Sequence, residues 1–442
     1  MARLALDKAL PAQWIDEVFD EHRRRQYPRE LLFSTVVELM TLVTLGLRAS
    51  LHAAARKMEQ SLPVSLAALY EKVNRTEPAV LRALVQGSAR RLASVAACLP
   101  SQSSLPGWQL RVFDGNHLPA SQKRLAALRG VRGAALPGHT LVVYDPDSAL
   151  VCDIVACEDA YESERVALGP LIECAQAQQV WIGDRLFCTQ PILEGLSRRD
   201  ASFIVREYAN HPRLAEQGQW STYADIDTGR VREQCIRVGT ADASQGMPGR
   251  PWRRIQLELR APTEAGEQVI NLWSNLPQDI DAATIAGLYR KRWRIESMFQ
   301  RLESVLHSEI SSLGHPRAAL LGFTVAVLAY NVLALLKRVI EQAHRPQHPT
   351  LDVSTYHLAQ HITSDYEAMA VALPHEYLPC ADDDPQRLMQ RLLRLAGHLR
   401  PKQLATSKRA PKPDKPKGYV DGKVARSHVS TARMLKGAGR TP

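Results

Sequence analysis

The chain has 442 residues and a formal net charge of +10, with 45% of its residues hydrophobic and 23% charged. That is too long for one small core and too apolar for a disordered chain, so two or three folded domains are expected. Its seven cysteines are odd in number and form no CxxC pair, which excludes a disulfide framework or a zinc ribbon and fits a reducing cytosol.

The opening stretch, MARLALDKALPAQWIDEVFDEHRRR, mixes acid and base at once and does not read as a secretory signal. A cytoplasmic, nucleoid-associated protein is expected. Residues 1–100 read as helical. Ser50 caps a helix running to Glu59, and Ser65 caps a second, SLAALYEKVNR, after a short turn. Arg56, Lys57, Lys72 and Arg75 add positive charge, so the pair reads either as a helix-turn-helix DNA-binding domain or as a plain helical bundle.

Pro100 to Gly107 is linker-like, and the texture then changes. Trp108 to Phe113 reads as a strand, followed by Asp114-Gly115, a turn signal. His139 to Tyr144 and Ala149 to Ala156 are two further strands around an Asp145-Pro-Asp-Ser turn. Ser163 to Ala177 reads as a helix kinked at Pro170, Val180 to Gly183 as a buried strand ending at Asp184, Ile192 to Arg198 as a helix and Ser202 to Arg206 as a strand. This alternation predicts a mixed α/β sheet. From Glu207 to Asp281 strands follow one another without helices, an all-β insertion in which Trp252 and Trp273 stack on bases or, as the favoured reading, fill a core. Ala318 to Leu336 is apolar enough to span a membrane, yet basic residues flank both ends, and a buried core helix is the favoured reading. Residues 349–400 return to helical periodicity. From Pro401 onward, 11 Lys/Arg face only Asp414 and Asp421, an excess of +9 in a Pro- and Lys-rich tail. Such a tail is expected to be disordered, and it reads as a polyanion-binding arm or a solubilising one.

The densest signal is LYRKRWRIESMFQRLESVL, residues 288–306, which has no Gly or Pro. On one continuous helix with Tyr289 at 0°, Arg292 falls at about 300°, Glu296 at about 340° and Glu303 at about 320°. Leu288, Ile295, Phe299, Leu302 and Leu306 form a separate apolar stripe. A carboxylate suits a metal ion, and Arg and Tyr beside it suit phosphate oxygens.

Asp114 and Asp184 stand at predicted strand ends, where sheet folds gather ligands. With Glu296 they offer three carboxylates from separate elements, a donor set that suits two Mg²⁺ ions about 4 Å apart. Each also has a plainer reading: a turn residue, a surface ion pair, and an i, i+4 helix pair with Arg292. Spacing alone does not join the three. No P-loop, dinucleotide fingerprint or GxSxG elbow is present.

Taken together, the Tyr-x2-Arg-x3-Glu run at Tyr289, Arg292 and Glu296, the strand into Asp114-Gly115, GHTLVVYDPDSALVCD (138–153), WIGDRLFC (181–188), LELRAPTEAGEQVINLWSNLP and VSLAALYEKVNRTEPAVLRALV (64–85) resemble bacterial insertion-sequence transposases of the insertion-sequence-four type. The resemblance covers most of residues 30–340. It implies an α/β fold with a ribonuclease-H-like mixed-sheet catalytic core, in two parts at 101–206 and 282–340, interrupted by the all-β insertion at 207–281. A helical DNA-binding domain (1–100) precedes it, and a helical region (341–400) and the basic tail (401–442) follow.

By the same resemblance Asp114, Asp184 and Glu296 are the catalytic, metal-binding acids of a DDE transposase using two Mg²⁺ ions, with Mn²⁺ as a substitute. Tyr289 and Arg292 hold transposon-end phosphates, and Arg206, Lys72 and Arg75 are further expected DNA contacts. The implied partners are double-stranded DNA, as transposon ends and target, and a second copy of the chain in a DNA-bound homodimer; no membrane is involved. One position departs from the pattern: Glu303 stands where a Lys is expected, with Lys291 and Arg301 the nearest bases. A catalytically impaired relic that only binds DNA is the alternative this departure supports.

Overall fold

Apolar residues at helical spacing organise the first hundred residues into α1 (Ala2–Ala9), α2 (Ala12–His22), α3 (Phe33–Thr44), α4 (Leu51–Lys57), α5 (Leu66–Arg75) and α6 (Pro78–Ala96). The computed structural model describes residues 1–406 except 25, 27–29, 58–61, 101–102, 210, 239–250, 264–265 and 373–383, together with 419–420 and 423–424. Ser65 caps α5 by accepting from the Ala68 N–H at 3.3 Å, and the Ser50 hydroxyl accepts from the Ala53 N–H at 3.2 Å in front of α4. The expected end of that helix at Glu59 lies outside the described residues. Pro78 opens α6, where its missing N–H costs nothing.

The strands are β1 (Gln109–His117), β2 (His139–Asp145), β3 (Leu150–Cys157), β4 (Gln179–Gly183), β5 (Ser202–Arg206), β6 (Leu214–Gln217), β7 (Ala224–Ile226), β8 (Gly229–Val238), β9 (Pro251–Leu259) and β10 (Val269–Ser274). Between them run α7 (Glu164–Ala167), α8 (Gly169–Glu173) and α9 (Gln190–Arg198); after them come α10 (Ala282–Arg290), α11 (Trp293–Leu306), α12 (Pro316–His344), α13 (Thr355–Ala372), α14 (Pro385–Gly397) and α15 (Pro401–Leu404). One sheet takes all ten strands in the order β3-β2-β1-β4-β5-β10-β9-β8-β6, with β7 paired to β8. β4 lies parallel to β1 and β5 parallel to β4, while β2, β3 and β10 are antiparallel to their neighbours.

Three local expectations are corrected. Asp114-Gly115 is not a turn: β1 runs on to His117 because Asp114 and Gly115 pair with Val142 and Leu141 of β2, and cross-strand pairing outweighs the local turn preference. The helix expected over 163–177 is two short ones, α7 and α8, with Pro170 in the first turn of the second. Within the β-rich segment, β10 pairs with β5, so its strands extend the central sheet. Residues 288–306 are not one helix either: α10 ends at Arg290 and α11 starts at Trp293, with the Arg294 and Ile295 N–H groups bonding the Lys291 and Arg292 carbonyls in a tighter turn.

Strand alternation gives the sheet two buried faces. Leu110, Val112, Val142, Tyr144, Val180 and Ile182 pack with the long helices, and Phe113, Leu141, Val143, Trp181, Phe203 and Val205 pack with α8 and α9. α12 is the only described helix long and apolar enough to cross a membrane, and 89% of its most apolar window is buried inside the fold. It packs against α1, α3, α5, α6, α14 and β3 as the favoured core-helix reading expects. Trp252 and Trp273 are both buried core residues.

Residues Met1–Ala405 make one compact unit and Thr406–Pro442 a second. In the second, β11 (Tyr419–Val420) pairs antiparallel with β12 (Lys423–Val424). The tail expected to be disordered from Pro401 is ordered at its start, where Pro401–Leu404 form α15, Leu404 is buried and Ala405 bridges to Val353; apart from β11 and β12, the rest from residue 407 onward lies outside the described residues.

Candidate active site

The parallel register of β1 and β4 sets the first two acids side by side. Leu110 faces Val180 and Val112 faces Ile182. Asp114 and Asp184 each lie two residues beyond that last pair, and the Asp184 charge acts on the Asp114 carboxyl. Alternation turns Asp114 to the face of Leu110 and Val112, the face on which α11 packs. Asp184 lies just past the end of β4, where its carboxylate accepts from the Leu186 N–H at 2.6 Å and so starts the 3-10 turn Arg185–Phe187. Gly183 before it leaves room for the Phe113 ring: a Cβ there would meet that ring at 2.4 Å.

Glu296 sits in the first turn of α11, where the helix dipole favours an acid. Arg292 ties it to the sheet. Its Nη2 lies 2.8 Å from Glu296 Oε1, and its Nη1 lies 3.4 Å from Asp114 Oδ2. The guanidinium is largely buried, and its Nε–H has no acceptor among the described residues. Burial pulls the Arg292 pKa down, but Tyr289, Glu296 and Asp114 more than offset this and hold it above its usual value. Tyr289, only 8% exposed, lies in the last turn of α10 beside Arg292, and burial pushes its phenol up to about 12.

Asp114 carries the largest perturbation of the acids here. Burial pushes its carboxyl up to about 7; Arg292 pulls it down, the Asp184 charge pushes it up again, and the Gly115 N–H favours the anion. A further acid also pushes it up: Glu164, at the start of α7. No motif in the chain marks Glu164. Its carboxylate lies over Gly115, where an added Cβ would meet Oε1 at 2.2 Å, and it is 3.2 Å from His117 Nε2. The trace it left in the sequence is Gly115 itself, whose missing side chain makes the space.

The other expected contacts are dispersed. Arg206 pairs with Glu267 at 2.5 Å, although its charge is still felt by Tyr289. Lys72 turns inward: its ammonium bonds the Leu31 carbonyl and lies 4.7 Å from the Phe19 ring centroid. Arg75 is exposed and paired with Glu71 at 2.8 Å. Of the two bases near Glu303, Lys291 is held by Ser104 and Asp147, and Arg301 acts on Tyr144.

The profile of the transposase DDE domain family matches residues 110–332, half of the chain and the whole span from β1 to the middle of α12. The chain belongs to the transposase DDE domain family. It is also 25% identical over 244 residues to "Putative transposase InsL for insertion sequence element IS186A" of Escherichia coli (strain K12), and equally to "Transposase for insertion sequence element IS421" of Escherichia coli. Each match takes in 48% of this chain and 62% of the relative, so the chain spans less than two thirds of the curated relatives it matches.

The family uses divalent metal ions, and the chemistry of the residues present fits one. The donors are hard carboxylate oxygens, and Asp114 is buried at a raised pKa that a nearby cation would relieve. Among the described residues no three His, Cys, Asp or Glu side chains already converge as a ligand set. Between Asp114 and Glu296 stands Arg292, whose charge occupies the position a metal cation would compete for.

Proposed function

We propose that the chain is a DNA transposase of the insertion-sequence-four type, with a ribonuclease-H-like core, that binds the terminal inverted repeats of its element and cleaves and transfers DNA strands. The observation that carries this reading is that Asp184 and Arg292 both act electrostatically on the buried Asp114, while the same Arg292 guanidinium holds Glu296. The strand order β3-β2-β1-β4-β5, with three antiparallel strands followed by two parallel ones, supports the ribonuclease-H-like assignment.

Asp114, Asp184 and Glu296 are the residues to hold a pair of Mg²⁺ ions, or Mn²⁺, which when bound activate a water or 3′-hydroxyl and neutralise charge on the leaving oxygen. Asp114 must shed its proton to serve, and at a pKa near 7 it does so around neutral pH. Arg292 then exchanges its carboxylate partners for phosphate oxygens, which its planar fork suits. Its unpaired Nε–H is a donor ready for that exchange. Tyr289, held against Arg292, fixes the guanidinium plane. Two copies of the chain pair two ends.

A second reading, a relic that binds DNA without cutting it, draws on Glu303. Glu303 and Glu309 interact, making this end of α11 acidic where phosphate contact is expected. One assay decides between the two. A duplex taken from the flanks of the protein's own gene is incubated with Mg²⁺ and the wild type or Asp184→Ala. Nicking by the wild type alone supports the transposase. Binding by both with nicking by neither supports the relic.

A further inference from the structure

The segment 118–137, LPASQKRLAALRGVRGAALP, holds Lys123, Arg124, Arg129 and Arg132 and no acidic residue. It leaves the end of β1 four residues past Asp114, roughly 13 Å along the strand. It is an ordered excursion, closed on itself by a bridge between Ser121 and Ala135, with Ser121 N–H donating to the Ala135 carbonyl at 2.8 Å. A 3-10 turn, Ala126–Leu128, forms its middle. Its stem rests on the chain that follows α11, because the Gln122 N–H donates to the Ser311 carbonyl at 2.8 Å. The loop therefore touches both the strand carrying Asp114 and the segment leaving the helix of Glu296.

Its four cations differ from several arginines elsewhere in the fold. Arg82, Arg206, Arg254 and Arg317 each face a carboxylate of Asp153, Glu267, Glu207 and Glu158. The loop's polar contacts are to neutral oxygens: Arg124 to Gln122, Arg129 to the Arg124 carbonyl, Lys123 to the Val131 carbonyl. Arg124, Arg129 and Arg132 are exposed, and Val131 at the tip is 50% exposed. Uncompensated cations held on an ordered loop raise the local potential for a polyanion. Glu309 lines a common pocket with Leu118, Pro119 and Ser121 at the loop's stem and interacts with Glu303, so the positive charge missing at this end of α11 is supplied by the loop.

We infer that the loop 118–137 is a sequence-independent clamp for the sugar-phosphate backbone of double-helical DNA lying beside the scissile strand, with Lys123, Arg124, Arg129 and Arg132 as its phosphate contacts. This rests on the proposed action on DNA. At roughly 13 Å from Asp114, the clamp grips the duplex within one helical turn (about 34 Å) of the cut.

The test uses the full chain, with Arg129→Ala/Arg132→Ala and the four-alanine variant, and fluorescence anisotropy across a salt titration on two duplexes: one from the flank of the protein's own gene and one of unrelated sequence. Each phosphate contact contributes about 0.9 to the slope of log affinity against log salt. The double variant is expected to be shallower by about 1.8 and the four-alanine variant by about 3.6, equally on both duplexes, with circular dichroism and melting temperature unchanged. An unchanged slope with intact wild-type binding overturns the clamp and leaves the transposase reading standing. A loss confined to the flank duplex overturns its sequence independence. A wild type with no affinity for either duplex overturns the functional reading and the clamp with it.

Discussion

Arg292 reaches Asp114 across 178 positions of sequence, its Nη1 3.4 Å from Oδ2. The same guanidinium bonds Glu296 one turn further along its own chain. Arg292 is thus an internal cation between two acids that would otherwise repel. Its position sets the electrostatics of the site before any ligand arrives.

Asp114 should limit stability at high pH. Its carboxyl is raised from an ordinary 3.8 to about 7, chiefly by burial. The folded chain thus holds this proton more tightly than the unfolded chain does, so stability is lost as pH rises from about 4 to about 7, by on the order of 4 kcal/mol. Asp114→Asn removes this dependence. Without divalent ions, the melting temperature of the variant relative to wild type should climb through that pH window and level off above it. Saturating Mg²⁺ should narrow the gap by stabilising only the wild type. A gap that stays constant from acid to neutral pH contradicts the assignment.

Arg292→Ala should move the pH dependence of nicking in a known direction. Without the guanidinium, burial and Asp184 act on Asp114 unopposed, so the acidic limb of the rate profile shifts to higher pH. Loss of a phosphate-orienting donor should lower nicking by roughly 10²–10³-fold. Arg292→Lys restores the charge without the planar fork, so it should recover the limb more fully than the rate. A profile that drops without shifting removes Arg292 from contact with Asp114.

Glu164 should act in the opposite sense. Its charge raises Asp114, so Glu164→Gln shifts the acidic limb to lower pH. Gly115→Ala should reproduce this shift, because its Cβ lands on the Glu164 carboxylate and drives it away. A flexible carboxylate moves readily, so the accompanying stability change should stay within about 1 kcal/mol in a denaturant titration. Variants of Glu164 and Gly115 with the wild-type profile would place Glu164 outside the site's electrostatics.

Asn331 should be a stability residue. From inside α12 its Nδ2–H donates to the Val151 carbonyl at 2.9 Å, and its Oδ1 accepts from the Val151 N–H at 2.8 Å. This satisfies the outward backbone groups of β3, the edge strand. Asn331→Leu leaves both groups buried and unpaired and should cost about 2–4 kcal/mol, read as a lower urea midpoint with an unchanged slope. A cost under about 0.5 kcal/mol means that the helix and the strand edge dock without this residue.

Much of this arrangement was legible in the chain. β2, β3, β4 and β5 follow runs of Val, Ile and Phe bounded by turn residues, and Ser65 marks the start of α5 by its hydroxyl alone. The errors share one physical cause. Asp114-Gly115 looks like a turn to any local rule, but pairing with Val142 and Leu141 straightens it. The run 288–306 looks like one helix because nothing in it breaks helical propensity; the bend at Lys291 and Arg292 coincides with Lys291 reaching Ser104 and Asp147, and Arg292 reaching Asp114, contacts from distant parts of the chain. β8 and β9 are strands by composition, yet their union with the central sheet depends on β10 pairing with β5, which no local pattern encodes. Glu164 and the inward turn of Lys72 are likewise products of tertiary placement.

In the proposed active site, residues 114, 184 and 296 surround one divalent-metal centre. Fe²⁺ substituted for Mg²⁺, with ascorbate and peroxide, cuts the polypeptide next to wherever the ion binds. Fragments ending close to residues 114, 184 and 296, all suppressed by excess Mg²⁺ and all lost together in Asp184→Ala, are the predicted result. Cuts at one of the three positions only, or a pattern that survives Asp184→Ala unchanged, would contradict it.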